Sequence, residues 1–93
     1  MNIKGEIILP PIKTFTIEDN EKCQALKVLE EASEVVEAVK NPDKDLSELV
    51  EEVMDTIQAC CNLLELYCVT DSEIEISYRD VVDKNTKRGR YDG

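Results

Sequence analysis

The chain contains no histidine and no tryptophan, and aromatic residues make up only 4% of it. Without histidine, acid–base catalysis falls to carboxylates, lysine, tyrosine or metal-bound water, and histidine-containing zinc sites are excluded. The four cysteines form no C-x-x-C pair, and there is no glycine-rich phosphate loop, Ser–His–Asp set or internal repeat. These absences leave the acidic residues as the main candidates for chemistry.

Positive charge is also scarce, because 11 Lys and Arg residues stand against 21 Asp and Glu residues, for a net charge of −10. Such a chain repels nucleic acid and anionic membranes, so we expect neither as a partner. No stretch approaches the ~20 apolar residues of a membrane span. The opening segment, MNIKGEIILPPIK, has no signal-peptide pattern. We therefore expect a cytoplasmic protein with reduced thiols.

The length of 93 residues predicts a single domain over residues 1–93. A chain of this size buries only about 60% of the surface that its unfolded form exposes. With so few aromatic residues the core has to be aliphatic and small. We therefore expect a homodimer or homotetramer, in which further copies cover the remaining apolar surface.

Residues 1–15 are expected to form an extended arm, and residues 16–91 to be helical. Pro10 and Pro11 exclude a helix interior in the arm. The arm is too apolar for a free tail, so we expect it to pack on the helices or on a neighbouring subunit. A lid over a substrate is the less favoured alternative.

The spacing of apolar residues predicts three helices and an all-α fold. Their expected bounds are about Ile17 to Lys40, about Leu46 to Cys68, and from the cap of the third helix to a stop at Gly89. Their expected N-caps are Thr16, then Asp43 or Asp45, then Thr70 or Ser72. The fold class is a helical bundle of about three helices per chain with an extended N-terminal arm, completed by oligomerisation.

Two acidic pairs occupy matching positions on the first two helices: Glu31-x-x-Glu34 and Glu52-x-x-Asp55. Residues three apart share one helix face, and both pairs lie at similar distances from the break at 41–44. If the helices fold back antiparallel, the four carboxylates meet at one level. Four such charges repel one another unless cations lie between them, so the pattern predicts a divalent metal site.

Other polar residues extend this candidate site. Asn62 continues the polar strip of Glu52 and Asp55 along the second helix. Lys84 and Arg88 lie on or beside the inward stripe of the third helix. For the basic residues at this helix end, the alternative is that they complement the helix dipole.

Carboxylate oxygens suit Mg²⁺, or Mn²⁺, better than zinc. Basic side chains of the third helix would bind a polyphosphate on the side opposite the metal. The metal and these cations together would stabilise a pyrophosphate leaving group. The pattern therefore indicates a metal-dependent phosphoanhydride hydrolase. A solvated acidic helix pair remains the alternative, because acidic patterns arise easily in so acidic a chain.

The segment LEEASEVVEA followed by ELVEEVMDTIQACCNLLEL resembles the MazG-like branch of the all-α nucleoside triphosphate pyrophosphohydrolases. Members show an E-x-x-E helix, an E-x-x-D helix and an Asn seven residues beyond that Asp, as Asn62 stands to Asp55. The tail KNTKRGRY is similar to the basic end of their third helix. The resemblance covers roughly residues 24–91.

The resemblance implies Mg-dependent hydrolysis of a (deoxy)nucleoside triphosphate to the monophosphate and pyrophosphate by an oligomer. It implies that the metal is held by the catalytic carboxylates Glu31, Glu34, Glu52 and Asp55. It further suggests that substrate is bound by Asn62, Lys84 and Arg88, with Lys27 and Gln24 near the sugar or base.

Three alternatives accompany this expectation. Phosphoribosyl-ATP pyrophosphohydrolases have a similar EEASEVV-like helix, but their second motif usually continues with a Tyr-His pair after the Asp, and this chain has no histidine. Dimeric dUTPases are usually longer, with more helices. From a different class comes a non-enzymatic acidic helical assembly module, which would need no metal.

Overall fold

A computed structural model describes residues 5–16 and 20–92. The regular structure of these residues is three α-helices, α1 (Glu21–Lys40), α2 (Leu46–Leu66) and α3 (Asp71–Lys87). The predicted all-α fold class is confirmed. The single-domain organisation and the oligomeric state stay predictions. In the described part of the chain, no helix is both long and apolar enough to cross a membrane.

The first helix begins at Glu21, with Asn20 as its N-cap. The Asn20 side chain accepts a hydrogen bond of 3.1 Å from the backbone N–H of Cys23, which satisfies one of the free donors of the first turn. The prediction of Thr16 as the cap is therefore wrong. The predicted start at Ile17 lies outside the described residues.

The second helix has Asp45 as its N-cap, one of the two predicted residues. Asp45 and Glu48 form a capping box, in which each side chain accepts a hydrogen bond from the other residue's backbone N–H. The hydrogen bond from the Glu48 N–H to the Asp45 carboxylate, and next that from the Ser47 hydroxyl, lower the pKa of Asp45. The helix ends at Leu66, two residues before the predicted end, because Cys68 adopts a left-handed backbone with φ 54°.

The third helix is capped by Thr70 in a second capping box with Glu73. The alternative cap at Ser72 is wrong, since Ser72 lies inside the helix. Gly89 follows the helix with φ 70°, a conformation that glycine adopts without steric cost and that commonly ends helices. The predicted stop at Gly89 is confirmed.

The helices α1 and α2 pack against each other as a hairpin. Ala38 of α1 and Ala59 of α2 are both only 4% exposed, and their small side chains permit the backbones to approach closely. Gln24 Nε2 donates a buried hydrogen bond of 3.1 Å to the carbonyl oxygen of Ala59. This pairing fixes the position of one helix along the other.

The third helix stands apart from this hairpin. Within the described residues, no Cα of α3 lies within 8 Å of a Cα of α1 or α2. The radius of gyration is 15.3 Å, whereas a compact domain of this length has about 12 Å. The accessible surface is 7902 Å², against about 5,500 Å² for a folded monomer of this mass. The isolated chain thus leaves much of its apolar surface uncovered.

The end of the N-terminal arm lies on α2. The carbonyl oxygen of Lys13 accepts a hydrogen bond of 2.8 Å from Gln58 Nε2, and the Phe15 N–H donates to Asn62 Oδ1 at 3.1 Å. Further back, Ile7 and Ile8 are exposed. The arm is therefore attached at its C-terminal end and leaves apolar side chains free for another surface.

We predict that Ala38→Leu destabilises the protein by about 1–3 kcal/mol, because extra methylenes in a close-packed position strain their neighbours. Chemical denaturation followed by circular dichroism measures the change. Ala25→Leu is the matched control, since Ala25 lies on the same helix but is exposed. Equal losses in the two variants would contradict the close packing of α1 on α2 at Ala38.

Candidate functional site

Three carboxylates converge where α1 and α2 face each other. Glu31 of α1 and Glu52 and Asp55 of α2 each place an oxygen within 4.8 Å of the others. The three-residue spacing of Glu52 and Asp55 sets both on one face of α2, and the hairpin brings that face opposite Glu31. The structure thus assembles three of the four predicted metal ligands.

Glu52 is the most constrained member of this cluster. Its side chain is largely buried, and among the described residues its Oε2 is the buried side-chain atom without a hydrogen-bond partner. Its Oε1 lies 3.9 Å from Lys44 Nζ, at the limit of an ion pair. A buried, unpartnered carboxylate oxygen is costly, and a bound cation would remove that cost.

Glu34, the fourth predicted ligand, lies at the edge of the cluster and is exposed. Repulsion from Glu31, and next from Glu52, raises the pKa of the Glu34 carboxyl above its ordinary value. Glu34 is therefore close enough to share their electrostatic field. Its role as a direct ligand stays a prediction.

A cavity of about 280 Å³ opens beside the carboxylates. Its acidic end contains Glu31 and Asp55, and the remaining lining residues are Phe15, Gln24, Lys27, Gln58, Ala59 and Asn62. Three predicted substrate-binding residues, Gln24, Lys27 and Asn62, are thus brought together with two predicted metal ligands. Their common position follows from helix phase, since these residues recur at spacings of three, four and seven.

Lys27 is the cation of this cavity. Its Nζ lies 3.2 Å from Glu31 and 3.7 Å from Glu30. The hydrogen bond to Glu31 and the charges of both glutamates raise the pKa of Lys27, so it remains an ammonium ion at neutral pH. The cavity therefore combines carboxylates with a positive charge one helical turn away.

The amides of Gln24 and Asn62 are 4% and 6% exposed, respectively. Gln24 Nε2 is engaged with the Ala59 carbonyl, so Gln24 holds the helix pair together as well as lining the cavity. Asn62 Oδ1 accepts from Gln58 Nε2 at 2.9 Å and from the Phe15 N–H at 3.1 Å. The group that Asn62 has to offer a ligand is consequently its amide N–H₂.

Lys84 and Arg88 are not brought to this cavity by their own chain. Lys84 lies in the last turn of α3, Arg88 is its C-cap, and both are exposed. Because no Cα of α3 lies within 8 Å of α1 or α2 among the described residues, the end of α3 does not bring these two residues to the carboxylates of its own chain. Their substrate-binding role stays a prediction.

Sequence reasoning missed three residues that line the cavity, the small Ala59 and the larger Gln58 and Phe15. Gln58 had a signal, since it stands three residues after Asp55 and four before Asn62 on the same helix face. Phe15 had none, because its contact with Asn62 joins residues 47 apart in the chain. It is the chain's one phenylalanine.

The residues present fit a hard divalent cation. The donors are carboxylate oxygens, one of them buried and unpartnered, and no histidine or cysteine accompanies them. Mg²⁺ and Mn²⁺ prefer such oxygen ligands. The donor set thus suits the predicted metal better than it suits zinc, which favours Cys and His ligands.

Comparison with known proteins decides the family. The sequence model of the phosphoribosyl-ATP pyrophosphohydrolase family matches residues 2–84. The chain belongs to this family. The family is part of the MazG-like all-α nucleoside triphosphate pyrophosphatase superfamily, so the resemblance is confirmed at that level, whereas the narrower MazG-like branch is not. No curated protein and no solved structure matches the chain.

We predict that millimolar Mg²⁺ or Mn²⁺ raises the melting temperature by several degrees, since a ligand at a hundred times its Kd adds about 2.7 kcal/mol of stability. Glu52→Gln should abolish this shift without lowering the metal-free melting temperature, because it replaces the unpartnered carboxylate with a neutral amide. Differential scanning fluorimetry makes the measurement.

The control for this experiment is Glu51→Gln. Glu51 is the exposed neighbour of Glu52, and its substitution by Gln removes the same charge. It should retain the metal shift. A shift of equal size in the wild type and in Glu52→Gln would exclude Glu52 as a ligand.

Proposed function

We propose that this protein hydrolyses a nucleoside triphosphate to the monophosphate and pyrophosphate with the help of Mg²⁺. The observation that carries the proposal is the convergence of Glu31, Glu52 and Asp55 within 4.8 Å at one end of a cavity that also contains Lys27 and Asn62. Family membership supports a pyrophosphohydrolase.

Glu31, Glu52 and Asp55 would hold the metal, with Glu34 as the fourth oxygen ligand. When bound, the cation supplies charge neutralisation for the phosphates and activation of the attacking water. Lys27 is paired with Glu31. Once Glu31 binds the metal, Lys27 would form an ion pair with a substrate phosphate instead. Asn62 would donate hydrogen bonds from its amide N–H₂ to the sugar or base. Gln24, through its bond to the Ala59 carbonyl, keeps α1 and α2 in register.

A homodimer or homotetramer completes the proposal. The chain's surface exceeds that of a compact monomer of its mass by about 2,400 Å², an area that obligate interfaces bury. Because α3 is remote from its own hairpin, we assign Lys84 and Arg88 to the phosphates bound by a neighbouring copy. There they would oppose the carboxylates across the substrate and balance the charge of the leaving pyrophosphate.

Phosphoribosyl-ATP is the second candidate substrate, and the family match favours it. Against it stands the second motif, which usually continues with a Tyr-His pair, whereas this chain has no histidine. Both candidates carry a triphosphate, so the metal end of the site serves either one.

The test is pyrophosphate release from a panel of ribo- and deoxyribonucleoside triphosphates and phosphoribosyl-ATP, with Mg²⁺ or with chelator. We expect metal-dependent pyrophosphate and a monophosphate product. Glu52→Gln should lower kcat at least about a hundredfold, and Glu51→Gln should not. Activity on phosphoribosyl-ATP alone would select the second candidate, whereas no turnover at all would favour an assembly module.

A mixed oligomer tests the assignment of Arg88. Arg88→Ala should raise the KM for the triphosphate more than Arg90→Ala does. If Arg88 serves a neighbour's site, mixing Glu52→Gln chains with Arg88→Ala chains creates one intact site per mixed pair. At substrate concentrations below KM, the purified mixed dimer should then be more active than either variant alone and approach half of the wild-type activity. No rise on mixing, with mixed oligomers verified by two affinity tags, would contradict the shared site.

A further inference from the structure

Phe15 occupies an unusual position for an apolar side chain of an arm. It is 51% exposed and lines the same cavity as Lys27, Glu31 and Asn62. Its ring is therefore not buried in a core, and the other residues that line the cavity are polar or charged, apart from Ala59. An aromatic face half open to such a cavity is available to a flat ligand.

The arm is fixed at this point by two residues of α2. Gln58 Nε2 donates both to the Lys13 carbonyl, at 2.8 Å, and to Asn62 Oδ1, at 2.9 Å. Asn62 Oδ1 also accepts from the Phe15 N–H. Two hydrogen bonds thus hold the arm backbone at Lys13 and Phe15 against the wall of the cavity, and the Gln58–Asn62 bond links the two side chains that make them. This attachment limits the entropy that a ligand would otherwise lose in ordering the arm.

The two ends of the cavity differ in chemistry. Asp55 lies at the acidic end and Asn62 beside Phe15, and seven residues of helix separate them by about 10 Å along the axis. A phosphate chain belongs at the carboxylates and Lys27. The other end, with Phe15 and Asn62, is separated from the carboxylates by about the length of a ribose and its phosphate. The base of the same nucleotide would be placed there.

We propose that Phe15 is the surface on which the nucleobase stacks, and that Gln58 is the positioning residue that holds the arm there. This inference rests on the proposed function, because it takes the occupant to be a nucleotide. Stacking on an aromatic ring tolerates any base, since every base has a π face. Phe15 therefore provides affinity for the nucleoside, and the Asn62 amide contacts its edge or the sugar.

Calorimetric titration with a nucleoside monophosphate and, separately, with inorganic pyrophosphate tests the proposal in the presence of Mg²⁺. Phe15→Leu keeps the apolar volume and removes the π face. It should raise the Kd of the monophosphate about five- to tenfold while changing the Kd of pyrophosphate less than twofold. Phe15→Tyr should retain wild-type affinity for the monophosphate, because the ring remains.

Gln58→Leu provides the second measurement. It removes the donor that bridges Lys13 and Asn62 without adding charge, so it should weaken the monophosphate and spare pyrophosphate, as Phe15→Leu does. A residue that only stabilised α2 would weaken both ligands or neither. Ile8→Ala is the control in the same arm, since Ile8 is exposed and lies outside the cavity.

The outcomes separate the two claims. Equal monophosphate affinity in the wild type and in Phe15→Leu overturns the stacking role and leaves the proposed function intact. If the wild type binds neither the monophosphate nor pyrophosphate, the proposed function fails and the stacking role fails with it. A change of oligomeric state in Phe15→Leu, seen by light scattering with monophosphate affinity unchanged, would assign Phe15 to a contact between copies instead.

Discussion

Mutual repulsion among carboxylates is the constraint on which this structure depends. Glu31, Glu52 and Asp55 lie within 4.8 Å of one another and Glu52 Oε2 has no hydrogen-bond donor among the described residues, although the chain already carries a charge of −10. Moving the side chains apart would relieve such repulsion, most easily at Asp55, which is exposed. The hairpin instead holds the charges together, with Lys27 and Lys44 as partial counterions, which is the arrangement that a cation site requires.

The rest of the fold is arranged around this hairpin and leaves much apolar surface uncovered in the single chain. The small buried residues Ala38 and Ala59 allow α1 and α2 to pack closely. The hydrogen bond from the Gln24 amide sets the register of the two helices. Apolar side chains of all three helices and of the arm nevertheless remain exposed in the single chain. The acidic cluster is also separate from the basic end of α3, because α3 does not pack on α1 or α2 within the described residues. Assembly would therefore bury the apolar surface and bring opposite charges together in one step.

Local signals were sufficient for the helices and for the acidic cluster. The capping residues Asp45 and Thr70 and the stop at Gly89 follow from chemistry within four residues, and the matched register of the acidic pairs predicted their meeting. The start of α1 was misplaced because Thr16 and Asn20 are both good caps and only the fold selects one. The contact of Phe15 with Asn62 and the remoteness of α3 depend on long-range packing, for which periodicity contains no information.

The most direct test of the central claim is a count of the cations that the cluster binds. Electron paramagnetic resonance of free Mn²⁺ during titration measures this number per chain. We predict saturable binding of at least one Mn²⁺ per chain, displaced by Mg²⁺ and lost in Glu52→Gln but retained in Glu51→Gln. An absence of saturable binding in the wild type, with the protein folded, would contradict the account of the acidic cluster as a metal site.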